Sequence, residues 1–147
     1  MRHRVNKKKL NMPHDQRVAL LKNLAREVFE HGNVITTKTK AKVVKPLVES
    51  IITKGKKAYN YTKEIEEKSE STDVQEIVAK NVSIRRQINR NFGDRKLVKK
   101  ICDDIAPKYA NRNGGYTRIL NIGTRRGDAA ELVILQLVDE TVSDSKE

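Results

Sequence analysis

Cysteine is nearly absent from this sequence, since Cys102 is the only one in 147 residues. The chain therefore cannot form an internal disulfide, the bond that stabilises many exported proteins. No apolar segment follows the basic residues at the N-terminus as it does in a secretory signal. No apolar run approaches the roughly 18 to 20 residues that a transmembrane helix needs. These absences predict an intracellular, cytoplasmic protein with no membrane partner.

Aromatic residues are also scarce, with no tryptophan, two phenylalanines and four tyrosines. Proteins that recognise single-stranded bases by stacking usually carry more of them. Lysine and arginine total 31 against 19 acidic residues, which gives a net charge of +12 and a pI near 9.9. This excess predicts a polyanionic partner that is recognised through its backbone charge.

The first twelve residues contain no acidic side chain and little that could form a core. A segment of this composition does not fold by itself. Two interpretations are open: a solvated, disordered start, or an arm that becomes ordered against phosphate groups.

Apolar periodicity predicts four helices and three strands in one α+β domain. We expect two layers, in which the helices pack on one face of a small mixed three-stranded sheet. Residues 54–73 lack periodicity and predict a loop or an added segment. The four predicted helices span 13–31, span 40–53, begin at 73, and extend from a cap at Asp94 to a stop at Pro107. Pro46 predicts a kink or a late restart in the second helix. The three predicted strands are 34–38, 116–122 and 132–138.

This order, α-β-α-α-α-β-β, divides the chain into three parts. Residues 1–12 form a basic N-terminal arm, and residues 13–139 form the single domain with an extension at about 54–76. Residues 140–147 form an acidic tail that we expect to fray.

The stretch "YANRNGGYTRIL" at 109–120 contains two of the seven glycines. A phosphate-binding nucleotide loop is excluded, because Gly114 and Gly115 lie before a strand and no Lys-Ser/Thr pair and helix follow them. A turn with positive φ explains the glycines alone. The arginines beside them indicate in addition that the backbone approaches a phosphate chain.

The sequence shows no evident set of catalytic residues. The three histidines are scattered and have no metal-binding spacing with one another or with Cys102. Asp103 and Asp104 are neighbours on a predicted helix and therefore point in different directions. We expect no enzymatic activity, no cofactor, no metal site and no small-molecule substrate.

Five stretches resemble, in the right order, the bacterial large-subunit ribosomal protein family numbered seventeen. They are "MRHR" at the start, "ALLKNLA" at 19–25, "ITTKTKAK" at 35–42, "APKYANRNGGYTRI" at 106–119, and the loop and strand that end in "ELVILQLVD" at 131–139. The chain departs from the family at Gln16, where a histidine is usual, and at 54–76, which is longer and partly acidic.

The resemblance implies a structural protein that binds large-subunit ribosomal RNA near the peptide exit region, beside other large-subunit proteins. By position it places the basic start, the lysines at 38–42, Arg85-Arg86 and the glycine bend against RNA. Lys22 and the loop arginines Arg125 and Arg126 are added to these positions. The predicted RNA-binding residues are therefore Arg2, His3, Arg4, Lys7, Lys8, Lys9, Lys22, Lys38, Lys40, Lys42, Arg85, Arg86, Arg112, Asn113, Gly114, Gly115, Tyr116, Thr117, Arg118, Arg125 and Arg126.

Two rival functions share the charge of this chain. The first is that of a nucleoid-type DNA-binding protein, an interpretation that the sequence does not support, because no helix-turn-helix or dimer-forming heptad is visible. The second is that of an RNA-modifying or RNA-cleaving enzyme, but the sequence shows no set of acid and base residues that such catalysis needs. Relative affinity for structured RNA and duplex DNA separates the first rival from the ribosomal interpretation, and turnover on labelled RNA tests the second.

Overall fold

The computed structural model describes residues 8–67 and 74–138. The elements are α1 (His14–His31), β1 (Asn33–Thr37), α2 (Lys38–Glu67), α3 (Val74–Phe92), α4 (Arg95–Lys99), β2 (Thr117–Thr124) and β3 (Glu131–Leu137). Between α4 and β2 the chain continues as a π-helix (Lys100–Ile105) and a 3₁₀ helix (Ala106–Tyr109). The predicted order and the α+β class are confirmed. Most of the predicted arm (residues 1–7) and the predicted acidic tail lie outside the described residues.

The sheet has β3 at its centre, between β1 and β2. Both pairings are antiparallel, and Ile134 of β3 lies opposite Ile35 on one side and Leu120 on the other. We expected a mixed sheet, but β1 and β2, which run in the same direction, are not neighbours. Val133 and Leu135 are buried beneath the helices, whereas Ile35 and Leu120 on the other face are 63% and 42% exposed. The helices therefore cover one face, as predicted.

Helix α2 is the longest element and supplies the largest share of the core. Its buried side carries Ala41, Val44, Val48, Ile51 and Ile52. These side chains belong to one hydrophobic cluster with residues of α1, α3, α4 and β3. No helix within residues 8–67 and 74–138 is long and apolar enough to cross a bilayer.

The prediction of a loop over 54–73 is wrong for residues 54–67, which continue α2, while 68–73 lie outside the described residues. The buried positions of this half are Gly55 and Ala58. One turn further on, the half-buried Thr62 accepts a hydrogen bond from Asn81 Nδ2 of α3 at 3.0 Å. Small and polar side chains allow α3 to approach closely, but they show no apolar period in the sequence.

Pro46 lies inside α2, which runs through it without restarting. Its ring lies on the exposed side of the helix. The carbonyl of Lys42, which loses its usual amide donor at Pro46, is therefore on the side that water reaches. Water can hydrogen-bond to a carbonyl group in this position, and the helix continues through Pro46.

The segment after Asp94 follows the prediction at its start and departs from it at its end. The Asp94 side chain accepts hydrogen bonds from the N–H groups of Lys96 (2.8 Å) and Leu97 (3.3 Å), which confirms the predicted N-cap. Pro107 was expected to end the helix, but the chain remains helical to Tyr109. Proline is tolerated there because it occupies the first turn of a new 3₁₀ helix.

Gly55 marks the closest approach between α2 and the π-helix. A Cβ atom at this position would lie 3.3 Å from Ile101 Cγ2 and 3.5 Å from the Ile101 carbonyl oxygen. We expect Gly55→Val to lower the free energy of unfolding by about 1 to 3 kcal/mol, because a branched side chain forces α2 and the π-helix apart. Urea unfolding measures this change.

Ser50→Val, at an exposed position of the same helix, is the control and should change stability by less than about 0.5 kcal/mol. Equal stability of the two variants would show that the approach at Gly55 is not tight.

Candidate nucleic-acid interface

Of the residues predicted in the N-terminal arm, Arg2, His3, Arg4 and Lys7 lie outside the described residues. Lys8 and Lys9 are described, and both are exposed. Lys8 lines a cavity of about 410 Å³ where α2 begins, together with Lys38, Lys42, Thr37, Thr39, Ala130 and Glu131. The structure thus brings the last part of the arm next to two of the predicted lysines and the end of the β2–β3 connection.

The cavity at the beginning of α2, the α2-start cavity, has a positive character. Lys38 Nζ lies 2.7 Å from Glu131 Oε2, and this hydrogen bond lowers the pKa of the Glu131 carboxyl. Lys8 and Lys42 form no hydrogen bond or close ion pair from their side chains among the described residues, although the charge of Lys42 contributes to the lowered pKa of Glu131. The first turn of α2 contains no acidic residue, so the positive end of the helix dipole is not offset there. Lys40 is half-buried on the same turn.

The β2–β3 loop, residues 125–130, lies beside this cavity. The Arg125 guanidinium donates to both carboxylate oxygens of Asp128, at 3.0 and 2.5 Å. Ala130 N–H also donates to Asp128 Oδ1 at 3.3 Å. Arg125 therefore holds the loop in shape, whereas the exposed Arg126 has no hydrogen bond or ion pair within the described part of the chain. Of the two predicted arginines, Arg126 is the one free to contact a phosphate.

The glycine bend, residues 112–116, has the positive φ angles that its sequence predicts, 119° at Gly114 and 63° at Gly115. Arg112 Nε donates to the Gly114 carbonyl at 3.3 Å. Lys56 of α2 donates to the Arg112 carbonyl at 2.6 Å and lies 5.5 Å from the centre of the Tyr116 ring. Arg112 and Lys56 together hold the bend against α2.

Two of the predicted contacts in this region, Tyr116 and Thr117, are only 4% and 3% exposed. The Tyr116 ring packs edge-on against Tyr109 with centroids 5.3 Å apart. Thr117 Oγ1 donates to Glu49 Oε1 at 2.9 Å. Their side chains therefore anchor the bend to α2 and to the 3₁₀ helix. Asn113 and Gly115 remain on the exposed side.

Arg118 lies on the sheet face that the helices leave uncovered. It is opposite Gln136 of β3, and its Nε and Nη2 lie 2.6 Å from the side-chain oxygen of Gln136 when the amide is oriented to accept. The bend and the β2–β3 loop are at opposite ends of β2. The eight residues of β2 are separated by seven steps of about 3.3 Å, so these ends are roughly 23 Å apart. The predicted residues therefore form separate patches rather than one site.

Arg85, Arg86 and Lys22 lie on the helical side of the molecule. Arg85 donates to Asn81 Oδ1 at 3.0 Å and to Asp103 Oδ1 at 2.6 Å, so two of its five N–H donors are used inside the protein. Arg86 is exposed, and its side chain forms no hydrogen bond or ion pair among the described residues. Lys22 Nζ donates to the Arg90 carbonyl at the end of α3, at 3.3 Å.

Lys22 belongs to a group of three cations that bind the carbonyl ends of helices. Arg26 donates to the Phe92 carbonyl at 2.6 Å, and Lys100 donates to the Glu30 carbonyl at 2.9 Å. Cations at helix C-termini are favourable because of the helix dipole. Sequence reasoning missed these roles and that of Lys56, since each joins residues more than 50 positions apart. No local pattern could have revealed them.

No group of three or more metal-binding side chains is found in the part of the chain that the structure describes. Cys102 is buried, and this burial raises the pKa of its thiol to about 11. A thiol in this state is protonated at neutral pH and is a poor nucleophile.

The family model described as ribosomal protein L17 matches residues 20–138 of this chain. The chain belongs to the ribosomal protein L17 family. A protein of Kosmotoga olearia named large ribosomal subunit protein bL17 is 67% identical over 140 residues, covering 95% of this chain and 94% of the relative. The proteins of the same name from Petrotoga mobilis and Thermotoga maritima are 57% and 44% identical; the alignments cover 94% and 95% of this chain and 97% and 95% of the relatives.

The contacts of Lys56 predict that it stabilises the bend of this L17 family member. We expect Lys56→Met to lower the free energy of unfolding by about 1 to 2 kcal/mol, because the Arg112 carbonyl loses a charged donor. Hydrogen exchange at the amides of residues 112–116 should also become faster. Lys57→Met, at the exposed neighbouring position, is the control, and equal effects of the two substitutions would contradict this role.

The pairing of Asp128 with Arg125 predicts a titration that NMR can follow. The hydrogen bond from Arg125, followed by that from the Ala130 amide, lowers the pKa of Asp128 from 3.8 to about 2. A carboxylate whose pKa is lower in the folded state stabilises that state above pH 3.8. This contribution is lost as the pH falls towards 2.

In Arg125→Gln the pKa of Asp128 should rise towards 3.8, because its principal donor is removed. In Arg126→Gln it should stay near 2, since Arg126 does not contact the carboxylate. An unchanged Asp128 pKa in the Arg125 variant would show that this pair does not hold the loop in solution.

Proposed function

We propose that this chain is a structural constituent of the large ribosomal subunit and that it binds large-subunit ribosomal RNA through phosphate contacts. The observation that carries the proposal is the similarity to proteins named large ribosomal subunit protein bL17 along nearly the whole chain, with 67% and 57% identity for two of them. Its role is to stabilise the RNA fold, without catalysis, on cytoplasmic ribosomes.

The distribution of charge supports phosphate as the recognised group. Lys8, Lys42 and Arg126 lie around the α2-start cavity and the β2–β3 loop, and their side chains form no hydrogen bond or close ion pair with a described residue. Cations without a partner in the protein release counterions from RNA when they bind its phosphate groups, and this release drives association at low salt. The bend contributes Asn113 and the exposed backbone at Gly115, where the absence of a side chain allows close approach.

The resemblance of the sequence motifs to the family supports a position near the peptide exit region, beside other large-subunit proteins. The arm is expected to enter between RNA helices, because Lys8, the first lysine of the arm that the structure describes, lies at the α2-start cavity. Loss of the arm should weaken binding almost uniformly across RNA sequences, since phosphate contacts carry no sequence information.

Sedimentation of a cell lysate on a sucrose gradient after a high-salt wash tests the assignment. We expect the chain to be retained on the large subunit in stoichiometric amount. Its presence only in light or nucleoid fractions would overturn the proposal and favour a DNA-binding function.

Removal of unpaired cations should weaken the association with RNA in a salt-dependent manner. We expect Lys42→Gln with Arg126→Gln to reduce the slope of log affinity against log salt by about 1.5, because two phosphate contacts are lost. Filter binding to purified large-subunit RNA at several salt concentrations measures the slope. The control variant, Lys57→Gln with Lys108→Gln, removes the same charge from exposed positions outside these patches, so a decrease of equal size there would contradict the assignment of Lys42 and Arg126.

A further inference from the structure

A groove along α3 carries a second group of unpaired cations. Two adjoining hollows of about 760 and 450 Å³ share Val82 and Arg86 in their walls. One extends to Lys54 of α2 and Arg90 of α3, and the other extends to Arg95 and Lys99 of α4. We call this region the α3 groove and define it by its cations Lys54, Arg86, Arg90, Arg95 and Lys99.

The charge of the α3 groove is not neutralised by the protein. None of its five cations has a hydrogen bond or ion pair from its side chain to another described residue. The one carboxylate in the walls is Asp103, which already pairs with Arg85 at 2.6 Å. Like charges gathered without counterions are unfavourable for folding, so the arrangement suits a polyanion that binds along the groove.

The shape of the groove suits an extended backbone. The wall residues of the larger hollow run from Ala79 to Asn91 along one side of α3, which corresponds to about 18 Å at 1.5 Å per residue. Ser83, Gln87 and Asn91 on this stripe add neutral hydrogen-bond donors between the cations.

The groove is also well separated from the α2-start cavity. Lys38 and Lys54 are 16 positions apart on the same helix, which places them about 24 Å apart along its axis. We propose that the α3 groove binds a second segment of RNA backbone, so that the protein joins two RNA segments that lie on different sides of it. This inference rests on the proposed RNA-binding function.

One polar atom in the groove favours RNA over DNA. Asn89 lines the smaller hollow, and its Oδ1 is buried without a hydrogen-bond donor among the described residues. A ribose 2′-hydroxyl can donate to this oxygen after a rotation of the side chain, whereas deoxyribose has no hydroxyl group at that position.

Directed hydroxyl-radical probing of assembled large subunits tests the inference. An iron chelate is attached to Ser83→Cys in the groove or to Thr124→Cys beside the β2–β3 loop, both at exposed positions. Buried Cys102 should not react, so the unsubstituted protein is the control. We expect both probes to cleave ribosomal RNA, in two different segments.

Absence of RNA cleavage from position 83, with cleavage from position 124, would overturn the inference and leave the proposed function intact. Cleavage of the same segment from both positions would overturn it as well. Failure of the unsubstituted protein to assemble into large subunits would overturn both the inference and the proposed function.

A binding measurement gives an independent result. We expect Arg90→Gln with Arg95→Gln to weaken binding to purified large-subunit RNA on the order of 10-fold to 100-fold at 0.1 M salt and to lower the salt slope by about 1.5. The control is again Lys57→Gln with Lys108→Gln. Binding and slope equal to those of the control would contradict a role of the groove.

Discussion

Burial of one side of α2 is the interaction on which the rest of this structure depends. The side chains from Ala41 to Ala58 pack against the sheet, α1, α3 and the helical segment after Asp94. Each buried valine or isoleucine side chain contributes about 1.5 to 3 kcal/mol when it is fully removed from water. Because α2 spans the molecule, the same burial sets the distance between the basic patches, one at its start and another along α3.

The cations of the chain divide into two groups that the sequence does not distinguish. Lys22, Arg26 and Lys100 bind carbonyl groups at helix ends, Lys56 holds the bend, and Arg85 and Arg125 pair with aspartates. These interactions use charge to stabilise the fold. The side chains of the second group, which includes Lys42, Arg86, Arg90 and Arg126, form no hydrogen bond or close ion pair within the described residues and are available to a polyanion. The net charge alone therefore overstates the number of cations that are available to a partner.

Much of the fold could be predicted because local signals agreed with tertiary packing. The extent of α1 and the cap at Asp94 are each specified by a few neighbouring residues. The second half of α2 could not be predicted in this way. Its buried positions, Gly55 and Ala58, are small because α3 and the π-helix approach closely, and small residues give no hydrophobic period.

The sequence by itself determined the fold class, the family and the large excess of positive charge, because composition, periodicity and local motifs carry that information. Tertiary structure alone decided which predicted residues are accessible. Tyr116 and Thr117 lie in the most specific motif, yet their side chains are buried against α2 and the 3₁₀ helix. Arg90, Arg95 and Lys99 belong to no motif, yet they gather in one groove. Accessibility and charge pairing depend on contacts between residues far apart in the chain, and no local pattern encodes them.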